Sequence, residues 1–216
     1  MKNRILAVIA LACAGLFITG TSRAAISGSA HDFSTNGWAN GEICLPCHAP
    51  HNNNTGTNNL TSTLWNHKLS AVNNYAMFSS PTMTKFSVAA QSQPSSGSKT
   101  CLSCHDGTVA IDSFGANTGT HFVQPVNNMG TDLSNDHPIS FTYDSGLATR
   151  SGGTLQNPAT ALSGLAGGGT IANDLLISGM VECSSCHDVH NQYSTPKYLL
   201  KKSNAGSALC LTCHIK

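Results

Sequence analysis

Four times in this chain two cysteines stand three apart with a histidine directly after the second. These are Cys44, Cys47 and His48 in CLPCH, and Cys101, Cys104 and His105 in CLSCH. Cys183, Cys186 and His187 follow in CSSCH, and Cys210, Cys213 and His214 in CLTCH. CxxCH is the attachment site of c-type haem. The two thiols add as thioethers across the two porphyrin vinyl groups, and the two-residue gap matches their separation. The adjacent histidine then reaches the iron from one face as the proximal ligand. Structural zinc would need the thiolates but not the histidines, and a thioredoxin-like CxxC occurs once, near a βαβ pattern. The motifs therefore predict four haem c groups.

The sixth iron ligand separates electron transfer from catalysis, because an open position binds small molecules and a filled one mostly moves electrons. Six histidines lie outside the motifs: His31, His51, His67, His121, His137 and His190. Histidine binds ferric iron more strongly than methionine does. Met77 in YAMFSS and Met83 in PTMTKF look like gap-fillers at a haem edge. Four bis-histidine irons are therefore expected. His51 and His190 each stand three residues past a proximal histidine, a spacing that suits a neighbouring haem better than their own. His31 and His137 lead the two halves of the chain, and His67 sits beside an aromatic in LWNH. That makes five candidates for four positions; His121, in GTHF, has no counterpart in the repeat. No CxxCK variant is present and histidines exceed iron sites, so an enzyme is not expected.

The elements that must position these groups are weakly written. Gly, Ser, Thr and Asn interrupt nearly every stretch, and sustained helical periodicity is scarce. Loops are expected over 79–98 and 144–169. Short strands are expected in TVAIDSF (108–114) and ISFTY (139–143), and a strand pair or short helix over 171–183. Each CxxCH should begin or sit on a short helical turn. The fold class expected is mostly irregular coil with short helices and few short strands, a multihaem cytochrome c organised around a stacked haem core. The haems would supply the apolar core that the side chains lack, leaving the apoprotein largely unfolded.

A repeat organises the chain. Each half has a leading histidine, a CxxCHxxH and a plain CxxCH, which gives two related two-haem modules at about 25–125 and 135–216 within one tetrahaem domain, 25–216. Residues 1–24 have the charged start, apolar run and small-residue end of a secretory signal peptide. Cys13 falls within it, and no further apolar run suggests a membrane span. Removing Lys2, Arg4 and Arg23 leaves eight basic against ten acidic residues. With no basic run, nucleic acid is not an expected partner. Only 10% of residues are charged, so copies of such a surface repel one another weakly.

Several stretches carry a resemblance: SGSAHDFS (27–34), GEICLPCHAPHN (41–52), LWNH (64–67), CLSCHDGTVA (101–110), NDHPISFTYD (135–144) and VECSSCHDVHN (181–191). Together they resemble the OmcE-type tetrahaem outer-surface cytochromes of metal-reducing bacteria, over nearly the whole mature chain. SAHDFS and DHPISFTYD carry the specificity. The resemblance implies a homopolymer, an extracellular filament with one continuous haem stack. It implies bis-histidine irons, one distal ligand of which comes from the adjacent subunit, with His51 the choice for that role. It also implies upstream periplasmic or outer-membrane cytochromes as donors and extracellular acceptors. A monomeric periplasmic tetrahaem shuttle is the alternative.

Overall fold

The computed structural model describes residues 26–49, 64–88, 92–193 and 198–216. Most of this chain is coil. Its helices are α1 (Pro81–Lys85), α2 (Ser96–His105), α3 (Ser145–Arg150), α4 (Ile171–Asp174), α5 (Cys183–Cys186) and α6 (Cys210–Cys213). Two strands, β1 (Phe141–Thr142) and β2 (Met180–Val181), pair antiparallel with Phe141 opposite Val181. The expected fold class of coil with short helices and few short strands is what the chain adopts.

Local chemistry explains where helix appears inside segments expected as loops. Ser80 accepts the Met83 N–H and Pro81 opens α1, the favoured start of a helix. Asp144 accepts the Leu147 N–H at 2.7 Å and starts α3, whose Leu147 and Ala148 are buried. Arg150, in its last turn, ties α3 to α1 by donating from Nε to the Phe86 carbonyl at 2.8 Å. Both caps lie at the edges of Ser- and Gly-rich runs, which hid two short helices.

Of the two expected strands, 139–143 contains β1. The stretch 108–114 forms no strand, because Asp106 captures its first residue. That carboxylate accepts both the Thr108 N–H (2.8 Å) and the Thr108 hydroxyl (2.7 Å), and Ser113 turns back to the Ala110 carbonyl. Over 171–183 helix and strand both form. Thr170 caps α4, and Ile177 and Met180 exchange both backbone hydrogen bonds at 3.0 Å. Ser178 (φ 52°) and Gly179 (φ 79°) between them are both left-handed, as a two-residue hairpin turn requires.

Two apolar clusters anchor the coil. Tyr143, Leu147, Leu165, Ile171, Leu175, Leu176 and Val181 form the larger, with Phe86, Phe141 and Cys213 packed against it. Tyr75, Leu102 and Leu133 form the smaller, and Met77 packs on it. The Tyr75 hydroxyl donates to buried Asp106 Oδ2 at 2.5 Å, directly beyond α2. Burial pushes the Asp106 carboxyl up, but hydrogen bonds from Ser70, Tyr75 and Thr108 outweigh it and hold it below the usual range. Tyr75→Phe should therefore cost about 1.5–3 kcal/mol, as lost hydrogen bonds to charged groups do, measured by denaturant unfolding of the holoprotein. Because the folded carboxyl titrates below its unfolded value, this part of the stability is present above the usual carboxylate range. It is lost as pH falls through the depressed value, so the gap between wild type and variant should close in acid.

Candidate haem sites

Each CxxCH is wound into a turn that sets its two thiols on one side. In the first, the Cys47 and His48 amides both reach the Cys44 carbonyl, at 3.2 and 2.8 Å. In the second, Cys101 and Cys104 stand one helical turn apart at the end of α2, and His105 closes that helix. In the third and fourth, α5 and α6 span the cysteine pairs and the histidine follows in extended conformation. The His187 and His214 amides close these turns onto the Cys183 and Cys210 carbonyls, at 3.1 and 2.9 Å. None of these eight cysteines is paired in a disulfide.

The histidine rings test the fit to haem. A metal between two imidazoles, with about 2.0 Å per metal–nitrogen bond and about 1.1 Å from nitrogen to ring centre, holds the ring centres about 6.2 Å apart. His48 and His190 have ring centres 6.2 Å apart, His31 and His105 6.1 Å, and His137 and His214 6.3 Å. Interplanar angles of 18°, 45° and 80° accompany these spacings; rotation about a metal–nitrogen axis changes that angle without changing the separation. Each pair joins a proximal histidine of one motif to a histidine outside the motifs. Without iron, such rings disfavour each other's charge. Burial, then His105 and His187 nearby, push His31 down to about 4, and burial and His137 push His214 down.

Several of these rings are oriented through Nδ1, the arrangement that frees Nε2 for a metal. His105 Nδ1 donates to the Asn127 carbonyl at 2.8 Å, His137 Nδ1 to Pro138 at 2.9 Å and His187 Nδ1 to Tyr198 at 2.9 Å. Trp65, packed edge-on against His48 at 6.1 Å, has a buried indole N–H with no acceptor among the described residues. A haem carboxylate is an acceptor of the kind it lacks. The residues fit the group.

The remaining candidates fall differently. His67 is 4% exposed, with Nδ1 2.8 Å from the Lys68 carbonyl and Nε2 3.0 Å from the Ala110 carbonyl. A neutral ring donates to one of these, and Cys104 Sγ of the second motif stands 3.4 Å from Nε2. His51 and residues 1–24 lie outside the described residues. His187 is the proximal histidine that no second histidine ring faces among the described residues. His121, set aside in the sequence for want of a repeat partner, is 62% exposed and held through Nδ1 by Asp112 Oδ2 at 2.7 Å. Only Asp112, nine residues earlier, marks it in the sequence.

The thiols also order the sites in space. Cys101 lies in α2 and Cys183 opens α5, and these helices pack on each other, the Cys183 N–H donating to Ser98 Oγ at 3.2 Å. Burial, then Cys47 nearby, pushes the Cys104 thiol up, and burial, then Cys210 nearby, pushes the Cys186 thiol up. The first site thus neighbours the second, the second the third and the third the fourth. Among the described residues no three Cys, His, Asp or Glu side chains converge on one point.

Residues 177–216 match the family model of the doubled CXXCH motif. No curated protein matches the chain. The matched segment indicates a multihaem c-type cytochrome that binds haem c covalently through CXXCH and transfers electrons. Such cytochromes are exported, and no helix among the described residues is long and apolar enough to cross a membrane.

Proposed function

We propose that the chain carries four bis-histidine haem c groups and works as the subunit of an extracellular cytochrome filament that conducts electrons out of the cell. Bound haem supplies one-electron chemistry at an iron that alternates between ferric and ferrous states. The protein's part is to hold both axial positions and keep the sites close. The observation that carries the reading is the set of three histidine pairs at metal-sandwich spacing. In this assignment His31 serves the iron of His105, His190 that of His48 and His137 that of His214. His67 is a structural residue. Where both axial positions of an iron are taken by protein, substrate has no place on that metal, which favours electron transfer over catalysis.

The assignment leaves the iron of His187 to be completed. His51 stands after the first motif as His190 stands after the third. If repeat symmetry extends to ligation, His51 serves the third site as His190 serves the first. In the filament reading that His51 belongs to the adjacent copy; in a monomeric shuttle it belongs to the same chain. Few surface charges and the resemblance of SAHDFS and DHPISFTYD to filament-forming tetrahaem cytochromes favour the former.

Electron microscopy of the mature holoprotein, wild type and His51→Ala, tests this. The wild type should form filaments, and the variant should form none while keeping four covalent haems by mass spectrometry. Discrete particles of wild type at every concentration would overturn the filament and leave the shuttle, in which His51→Ala alters one haem spectrum without touching assembly.

A further inference from the structure

Glu182 immediately precedes the third motif and is 2% exposed. Its carboxylate is caged by serines. Ser95 Oγ donates to Oε1 at 2.7 Å, Ser140 Oγ to Oε2 at 2.9 Å and Ser98 Oγ to Oε2 as well. The Ser185 amide adds a fourth donor as part of a capping box on α5. Two of these hydroxyls have their direction set. Ser98 Oγ accepts the Cys183 N–H at 3.2 Å and Ser140 Oγ accepts the Ser95 N–H at 2.9 Å. Each therefore has its own proton free to point at Glu182. The serines thus offer hydrogen-bond donors to both carboxylate oxygens of Glu182. No lysine, arginine or histidine forms an ion pair with it among the described residues.

The position of this charge is specific. Ser98 lies in α2, one turn before Cys101, and Glu182 caps α5, which begins at Cys183. The carboxylate thus sits where the two helices that carry Cys101 and Cys183 pack on each other. The capping role alone does not require a charge, because glutamine fills that position in helix starts equally well. Nor does it require burial within three hydroxyls from two other segments. A buried anion in low dielectric acts over several ångströms with little screening, and it favours the more positive state of a nearby redox centre.

We propose that Glu182 is a potential-setting residue: a buried, uncompensated negative charge, held by Ser95, Ser98 and Ser140, that lowers the reduction potentials of the haems at the second and third sites relative to the outer two. The proposal rests on the four-haem reading above. It makes the inner pair poorer electron acceptors than the outer pair and so shapes the energy profile along the chain of sites.

The test is Glu182→Gln, which keeps shape and cap while removing the charge, with Glu182→Asp as the variant that retains it. Peptide mass spectrometry first establishes haem on the Cys101 and Cys183 peptides; unmodified peptides would overturn the haem reading and this proposal with it. Spectroelectrochemical titration should then show two of the four midpoint potentials moving positive in Glu182→Gln and staying near wild type in Glu182→Asp. Four unmoved potentials in a fully haem-loaded Gln variant would overturn the proposal. A second measurement needs no variant at position 182. Glu42 and Glu182 are the chain's two glutamates, so carbon-13 glutamate labelling of the Glu42→Gln protein marks Glu182 alone. Its carboxylate stretch should shift between oxidised and reduced protein in the infrared difference spectrum, and a band unchanged on full reduction would also overturn it.

Discussion

His137→Ala is expected to leave four covalent haems in place and convert one of them from low-spin to high-spin iron that binds carbon monoxide when reduced, at one molecule per chain. Two observations support so clean an outcome. The His137 ring centre lies 6.3 Å from that of His214, the spacing of a shared metal. Its Nδ1 is held by the Pro138 carbonyl next door at 2.9 Å, so its orientation is local and its loss disturbs no distant contact. Haem attachment depends on Cys210 and Cys213, which the change does not touch. His67→Ala makes the contrast. That ring is buried between two backbone carbonyls, so its removal should cost stability, about 1–3 kcal/mol for groups left unpaired, with no new high-spin signal and no carbon monoxide binding. Absorption and magnetic circular dichroism spectra of the two variants decide the matter. A spectral change in His67→Ala with none in His137→Ala would reverse the assignment.

The chemistry of this protein is legible in its sequence to different depths. CxxCH can be read directly because covalent attachment and ligation fix two cysteines and a histidine within five positions, and nothing in the surrounding fold is needed to interpret them. The extra histidines could be counted but not paired, since pairing is a long-range property. His31 meets His105 across 74 positions and His48 meets His190 across 142, over spacers with no regular structure to transmit direction. His67 shows the limit most clearly. Its neighbour Trp65 is visible in the sequence, whereas the Ala110 carbonyl 3.0 Å from its Nε2 comes from a segment 43 residues away. The coil character was legible because Gly, Ser and Asn suppress periodicity wherever they cluster. The same richness obscured α1 and α3, whose existence depends on single capping side chains, Ser80 and Asp144, rather than on an amphipathic stripe. Glu182 reads from sequence as a surface acid; its burial depends on Ser95, Ser98 and Ser140 arriving from elsewhere.

A chain with all eight motif cysteines changed to alanine should have no cooperative unfolding transition and no near-ultraviolet circular dichroism, and should be digested rapidly by protease. The expectation follows from what the protein side of the fold is made of. Among the described residues the longest helix, α2, has ten residues, shorter than the roughly 12–15 at which an isolated helix becomes even marginal in water. The one sheet among them pairs two residues with two, and an isolated strand pair is marginal at best. Neither can persist without packing, and the packing that side chains provide is divided between one cluster around Leu147 and Ile171 and a small one around Leu102. The segment from Ile26 to Ala49 contributes no residue to either cluster. Within it, Phe33 stacks on Trp38 and His31 lies against His105, contacts gathered around the second site. A macrocycle presents more apolar surface than any side chain, and each 100 Å² buried contributes about 2.5 kcal/mol. It also joins two cysteines and two distant histidines at one point, so it crosslinks as well as packs. Removing one haem, by Cys210→Ala with Cys213→Ala, should accordingly loosen the 154–156 and 198–216 segments that meet at the fourth site, leaving the first three haems spectroscopically intact. A cooperative, native-like transition in the eightfold variant would show instead that the Leu147 and Leu102 clusters suffice to fold the chain.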